Sequence, residues 1–320
     1  MFIQTRLAKH RLATRTLAIP SSEIILAKPP KPPQRRPLDS QIFSFLKTGK
    51  HRSPSIQTLL SQYDSRAGRV LDATLAYEST PLTDRRVNIK SAQASGVVFV
   101  AHVLQAQHES YLALCSGFAI GASSSTGEKI IVSCAHTMEE IRRSSLLNSP
   151  EISTSSFIIA PDSSPSSLSI TPVLEVLSSM PRSDLVLLSA RVPHLPSLPV
   201  SPYPARPDDP LHIHVVSPEP SSTEYVPWLG EWRSWQPGQV LGYRDFAGRE
   251  AQPGTYDALS HMLFKPIPTQ GSSGGPIIGE NGSVIGIVSG SRMDNSVEGI
   301  RGWGTPSEAI YEVYRTQIYC

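Results

Sequence analysis

Three side chains in this 320-residue chain have the types that acyl transfer requires: His136, Asp184 and Ser273. Ser273 lies in TQGSSGGPII (269–278), where three glycines and two serines crowd a turn ahead of an apolar run. A Gly/Ser/Pro cluster between periodic segments is an ordinary loop signal. It also suits a site in which backbone N–H groups converge on a developing oxyanion, because glycines let the chain turn tightly and come close to a substrate. Gly271 and Ser273, two residues apart, could supply two such donors. A serine nucleophile at neutral pH needs a base, usually histidine, and that base needs an orienting acid. This chemistry calls for no cofactor and no metal.

The elements around these residues discriminate among the candidates. Of nine histidines, His10 and His51 fall in a basic arm, and His102, His212 and His214 fall inside strand patterns, where a structural role is the simpler reading. His136 is different. It ends the apolar run KIIVSCAH and opens a short helical pattern, which places it at a strand exit facing a cleft. Asp184 stands immediately before the apolar strand LVLLSA, where a carboxylate can be partly buried and still reach an imidazole. Glu139 and Glu140 are rival acids, but they follow His136 too closely to reach its far ring nitrogen easily, and both also read as solvated surface residues.

With 39% apolar and 18% charged residues the chain can bury a core, and 29 prolines with 21 glycines argue for short strands and turns rather than a helical bundle. The net charge of +2 hides an asymmetry: residues 1–53 hold eleven Lys and Arg against only Glu23 and Asp39. The first 22 residues are Arg-rich, acid-free and amphipathic, and lack the continuous apolar stretch of a secretory peptide. They fit a mitochondrial transit peptide; the alternative is a basic tail in a cytoplasmic or nuclear protein. AKPPKPPQRRP (27–37) reads as an extended linker, and residues 54–95 as a linker or accessory segment with short helical pieces. The arm has few aromatics to stack on bases, so nucleic acid is not an expected partner. No apolar run is long enough for a transmembrane helix. Three cysteines, Cys115, Cys134 and Cys320, are too few for a disulfide framework.

From Gly96 onward about a dozen short strands fall into two sets, 96–192 and 211–320, joined by a proline-rich crossover at 193–210. That count fits an all-β fold of two packed six-stranded antiparallel barrels, closed by a C-terminal helix in TPSEAIYEVYRTQ (305–317). Ser307 is its candidate cap, and Ala309, Ile310, Val313 and Tyr314 form its apolar face.

VSCAHTM, SDLVLLSA and GSSGGPII…GIVSGS, in that order, resemble the three signature segments of trypsin/chymotrypsin-fold serine peptidases. With SGFAIG and GWGTPSEAI added, the resemblance is nearest to the HtrA (DegP-like) protease domain, without its PDZ domain. It implies a serine endopeptidase acting on polypeptides, possible homo-oligomers, and a role in protein quality control. A catalytically silent binding protein on the same fold is the alternative. The resemblance makes Ser273 the nucleophile, His136 the general base and Asp184 its orienter, with Gly271 and Ser273 as oxyanion donors. It assigns Ser289, Gly290 and Ser291 to the strand that pairs with substrate, and Ile267 and Gln270 to the specificity pocket. Ile267 at the pocket base implies a small or medium apolar residue before the scissile bond. Two departures stand out. Ser272 replaces the aspartate of zymogen activation, and Thr137 occupies the position of the half-cystine that would pair with Cys115.

Overall fold

The computed structural model describes residues 42–43, 53–90, 96–107, 109–121, 128–149, 151–161, 168–216 and 233–314. The proposed targeting segment, His10, His51 and Cys320 lie outside these residues. Six antiparallel strands close the first barrel: β1 (Val97–Gln105), β2 (Ser110–Ile120), β3 (Lys129–Cys134), β4 (Ser153–Pro161), β5 (Leu168–Met180) and β6 (Leu185–Ala190), in the order β1-β2-β3-β6-β5-β4. The second set is β7 (Pro210–Val216), β8 (Arg233–Arg244), β9 (Glu250–Ala251), β10 (His261–Lys265), β11 (Pro276–Gly279), β12 (Val284–Asn295) and β13 (Gly299–Pro306). β10 pairs with both β13 and β8, which closes a second six-stranded barrel and leaves the two-residue β9 as an addition to β8.

The strands are legible because alternate side chains point to opposite faces and both faces are buried. In β1, Val98, Val100 and Leu104 enter the first barrel with Ile131, Val186 and Leu188, while Phe99, Ala101 and Val103 pack outside it against Ile159 and Val216. The second barrel is filled by Leu211, Ile213, Val240, Tyr243, Met262, Phe264 and Ile277. Phe118, Val132, Leu185 and Leu187 of the first barrel meet Ile278, Val284 and Ile287 of the second across a shared apolar seam. The crossover is stitched to both barrels: Leu198 N donates to Ala119 O (2.8 Å) and Val284 N donates to Pro199 O (2.8 Å).

Residues 53–90 do more than connect. Ser55 Oγ accepts from Thr58 N (3.1 Å) and caps helix α1 (Ile56–Ser65). Its residues Ile56, Leu59, Leu60 and Tyr63, at helical spacing, are buried in the core cluster of the first barrel. The strap then continues past the C-terminal segment to the second barrel: Gly68 N donates to Ser179 O (2.8 Å), Leu71 N to Val313 O (2.7 Å) and Val87 N to Gly282 O (3.0 Å). Tyr63 is 1% exposed, so Tyr63→Ala should cost about 3–5 kcal/mol, the range for deleting a buried aromatic ring. Urea denaturation should show the midpoint fall, and an unchanged midpoint would mean α1 is not part of the folded core.

The C-terminal helix is shorter than its sequence pattern. It is α3 (Glu308–Tyr311), with Ala309, Ile310, Val313 and Tyr314 buried as the apolar face requires. Ser307 precedes it without a side-chain cap, because its hydroxyl is committed to Ser201 O at 2.7 Å.

Candidate active site

β3 and β6 set the histidine against the aspartate. Their register pairs Cys134 with Leu185, so the residues just beyond, Ala135 and His136 on one strand and Asp184 on the other, meet at the barrel rim. Ala135 N donates to Asp184 O at 3.2 Å. Asp184 follows a 3₁₀ turn at Pro181–Ser183 and takes the left-handed conformation (φ 52°), which Asp tolerates better than most residues. Its carboxylate then accepts from His136 N (2.8 Å) and bonds the His136 ring at Nδ1 (2.9 Å). The rival acids are engaged elsewhere: Glu139 faces Arg142 at 3.5 Å, and Glu140 accepts from Tyr111 Oη. Burial alone would lower the His136 pKa, but the hydrogen bond and charge of Asp184 outweigh it, and the net shift is upward from 6.5.

α2 (His136–Arg142), which His136 opens, is held by α1. Arg142 reaches Asp64 (2.6 Å) and lies 5.4 Å from the Tyr63 ring centroid.

The serine turn docks onto the same rim. Gly271 (φ 92°) and Gly274 (φ 81°) both occupy backbone conformations that disfavour a side chain. A Cβ on Gly274 would meet Ser116 O at 2.2 Å and Cys134 N at 2.8 Å. Ser273 is thereby brought beside the end of β3, two residues before His136, and Ser116 N secures it by donating to Ser273 O (2.8 Å). Neither Gly271 N nor Ser273 N has an acceptor among the described residues. Ser272, fully buried, bonds Val216 N (3.1 Å) and Thr269 Oγ1 (2.9 Å), so a neutral hydroxyl network supports the turn where an aspartate would otherwise stand.

The Ser273 hydroxyl itself donates to Ser289 O at 3.1 Å. His136 Nε2 lies 3.8 Å from Cys134 Sγ. The structure therefore brings His136, Asp184 and Ser273 together with the His–Asp link made and the Ser–His link unmade. Ser289 is tied to the Asp184 loop through Thr305, whose Oγ1 sits 3.5 Å from Ser289 Oγ and donates to Ser183 O at 2.5 Å.

The remaining expected residues line up along two segments. Ser289, Gly290 and Ser291 form the outward course of β12. Gln270 is exposed just before the serine turn. Ile267 is 50% exposed after β10, a more open setting than a pocket base suggests. Cys115 and Cys134 are both free and buried, and burial pushes the Cys134 thiol well up. Thr137 Oγ1 lies 3.8 Å from Cys115 Sγ, in the place the missing partner would fill. His102 is buried, bonded to Ser156 Oγ (2.8 Å) and lowered to about 4 by burial, in keeping with a structural role. Sequence reading missed the closeness of Cys134 to the His136 ring; the spacing of two residues was the only signal.

Residues 115–287 match the family described as trypsin-like peptidase domain. That is more than half of the chain, and the chain belongs to this family. No curated protein matches it. Among solved structures it is similar to the MamO protease domain from Magnetospirillum magneticum (14% identity, 71% of this chain and 100% of that one, TM-score 0.45). It is also similar to the Rv3671c protease from M. tuberculosis in its active form (19% identity, 77% and 90%, TM-score 0.44). A serine endoprotease from Yersinia pestis gives 17% identity, 72% and 62% coverage and a TM-score of 0.44. At such identities and scores these likenesses say nothing about what this chain binds or cuts.

Proposed function

We propose that the protein is a serine endopeptidase in which Ser273 attacks the peptide carbonyl, His136 takes and returns its proton, and Asp184 fixes the His136 tautomer. The observation that carries this reading is the His136 Nδ1–Asp184 contact of 2.9 Å beside a glycine turn that presents Ser273. A peptide added to the edge of β12 needs Ser289 O as an acceptor for its own N–H. Binding would thus displace the Ser273 hydroxyl from that carbonyl and free it to turn to His136. Gly271 N and Ser273 N would hold the oxyanion of the tetrahedral intermediate; its collapse breaks the peptide C–N bond, the amine leaves with the proton from His136, and water then hydrolyses the acyl-enzyme. The test is hydrolysis of an unfolded protein by the wild type and by Ser273→Ala.

The second reading, a silent binding protein, draws support from the unmade Ser273–His136 link. It predicts peptide binding without turnover.

The raised pKa of His136 gives the pH dependence its sign. The base must be neutral to accept a proton, so kcat/KM should climb as pH rises through a value above 6.5. A pH profile with its acid limb below that value would contradict the pairing.

Ile267, Pro268, Thr269 and Gln270 bring no acid to the specificity pocket. Val, Ala or Leu should therefore be preferred before the scissile bond over Arg or Lys, which would lack a counter-charge there. Among apolar residues, differences of one methylene should change kcat/KM only about 10- to 200-fold. A peptide library measures this, and strong selection of Arg or Lys would overturn the pocket assignment.

Import into mitochondria extends the same proposal, supported by the acid-free, Arg-bearing start of the chain, and a role in protein quality control extends it on the HtrA-like resemblance alone. Residues 1–40 fused to a fluorescent reporter should accumulate in mitochondria; a diffuse signal would remove the targeting claim and leave the peptidase claim standing.

A further inference from the structure

Beyond Ser289, β12 is paired on one edge alone among the described residues. Residues 290–295 pair with β13, whereas β11, its neighbour on the other side, starts only at the Pro276–Ile287 pair. The bare edge begins where Ser289 O meets Ser273 and runs toward Arg292, Met293 and Asp294. A peptide added antiparallel to this edge, with its scissile bond at Ser273, advances about 3.3 Å per residue. Its third and fourth residues before the bond then lie beside Ser291 and Arg292.

At that point the surface opens into a cleft of ≈ 280 Å³ whose walls include Phe246, His261, Met293 and Trp303. Two guanidiniums lie against its rings. Arg292 Cζ is 4.8 Å from the Trp303 centroid, and Arg182 Cζ is 5.1 Å from the Phe246 centroid. Neither guanidinium has a carboxylate or hydrogen-bond partner among the described residues. The charges around them are matched: Arg244 with Asp294 (2.9 Å), Arg249 with Asp245 (2.7 Å), and Arg301 with Glu298. His261 adds no competing charge, since burial and then the Arg292 charge lower its pKa, and its Nδ1 is buried without a partner among the described residues. The cleft therefore carries two uncompensated positive charges. An arginine stacked on an aromatic face keeps its N–H edge free for a carboxylate.

We infer that this cleft selects substrates by an acidic side chain, Asp or Glu, three or four residues before the scissile bond, with Arg292 and Arg182 as its counter-charges. The inference rests on the peptidase reading for its register and goes beyond it in naming a substrate class. Arg182 also links the cleft to chemistry, since it sits two residues before Asp184.

The test uses fluorescent peptides with Val before the scissile bond that differ only in Glu, Ala or Lys at those two positions. Binding is read by anisotropy on full-length Ser273→Ala, and kcat/KM on the wild type. Glu should be favoured over Ala by about 10-fold, the scale of one hydrogen bond to a charged group. The preference should shrink as salt is raised and fall to unity in the double variant Arg182→Gln, Arg292→Gln. Equal behaviour of the Glu, Ala and Lys peptides with the wild type would overturn the inference without reliance on any variant. Turnover without a Glu preference would refute the cleft assignment and keep the peptidase reading. Glu-selective binding without turnover would do the reverse, and binding of no peptide at all would refute both.

Discussion

Ser273→Ala should lower kcat by about 10⁴–10⁶ while leaving the protein folded, the loss typical of a nucleophile acting within a triad. The expectation of an intact fold has a local basis. The Ser273 hydroxyl makes one described hydrogen bond, to Ser289 O at 3.1 Å, and the turn is held instead by backbone bonds from Ser116 N and between Gly274 and Val288. Near-unchanged thermal unfolding together with lost hydrolysis is the expected pair of results. Wild-type hydrolysis by the variant would remove Ser273 from the mechanism.

Asp184→Asn should cost about 10⁴ in kcat, because an amide stabilises the wrong imidazole tautomer. It should also change the pH profile. The carboxylate of Asp184 is what raises the His136 pKa against burial, so the acid limb of kcat/KM should move to lower pH even as the maximum falls. Loss of activity with the limb unmoved would contradict the His136–Asp184 pairing. The amide oxygen in Asp184→Asn can still accept from His136 N, held at 2.8 Å in the wild type, so the fold should stay close to wild-type stability.

Much of this arrangement was legible because its determinants are local. β1 reads as a strand from VVFVAHVL since its β-branched and aromatic residues are buried on both faces. The serine turn reads from its glycines, two of which take positive φ. The resemblance, with a threonine at position 137, implies a Cys115 without its half-cystine partner, and Cys115 is free. What escaped depends on partners far along the chain. α1 looks like an isolated amphipathic helix in sequence, and it takes contacts such as that of Tyr63 O with Ser179 Oγ, 116 residues away, to reveal that it braces the segment leading to Asp184. Ser307 has the residue type of a helix cap but serves Ser201, 106 residues distant. The upstream cleft draws on Arg182, Phe246, His261, Arg292 and Trp303, from five separate segments. The Ser273 hydroxyl donates to Ser289 O, a partner 16 residues away that no motif encodes.

The central claim is that Ser273 is a nucleophile activated by His136, and covalent capture tests it most directly. The full-length protein is incubated with a serine-reactive phosphonate bearing Val at the recognised position, and its intact mass and modified peptide are measured. The account predicts a single adduct on Ser273, formed faster as pH rises through the acid limb, and none on Ser273→Ala or His136→Ala. A wild-type protein that stays unlabelled while still binding the matching peptide would contradict it.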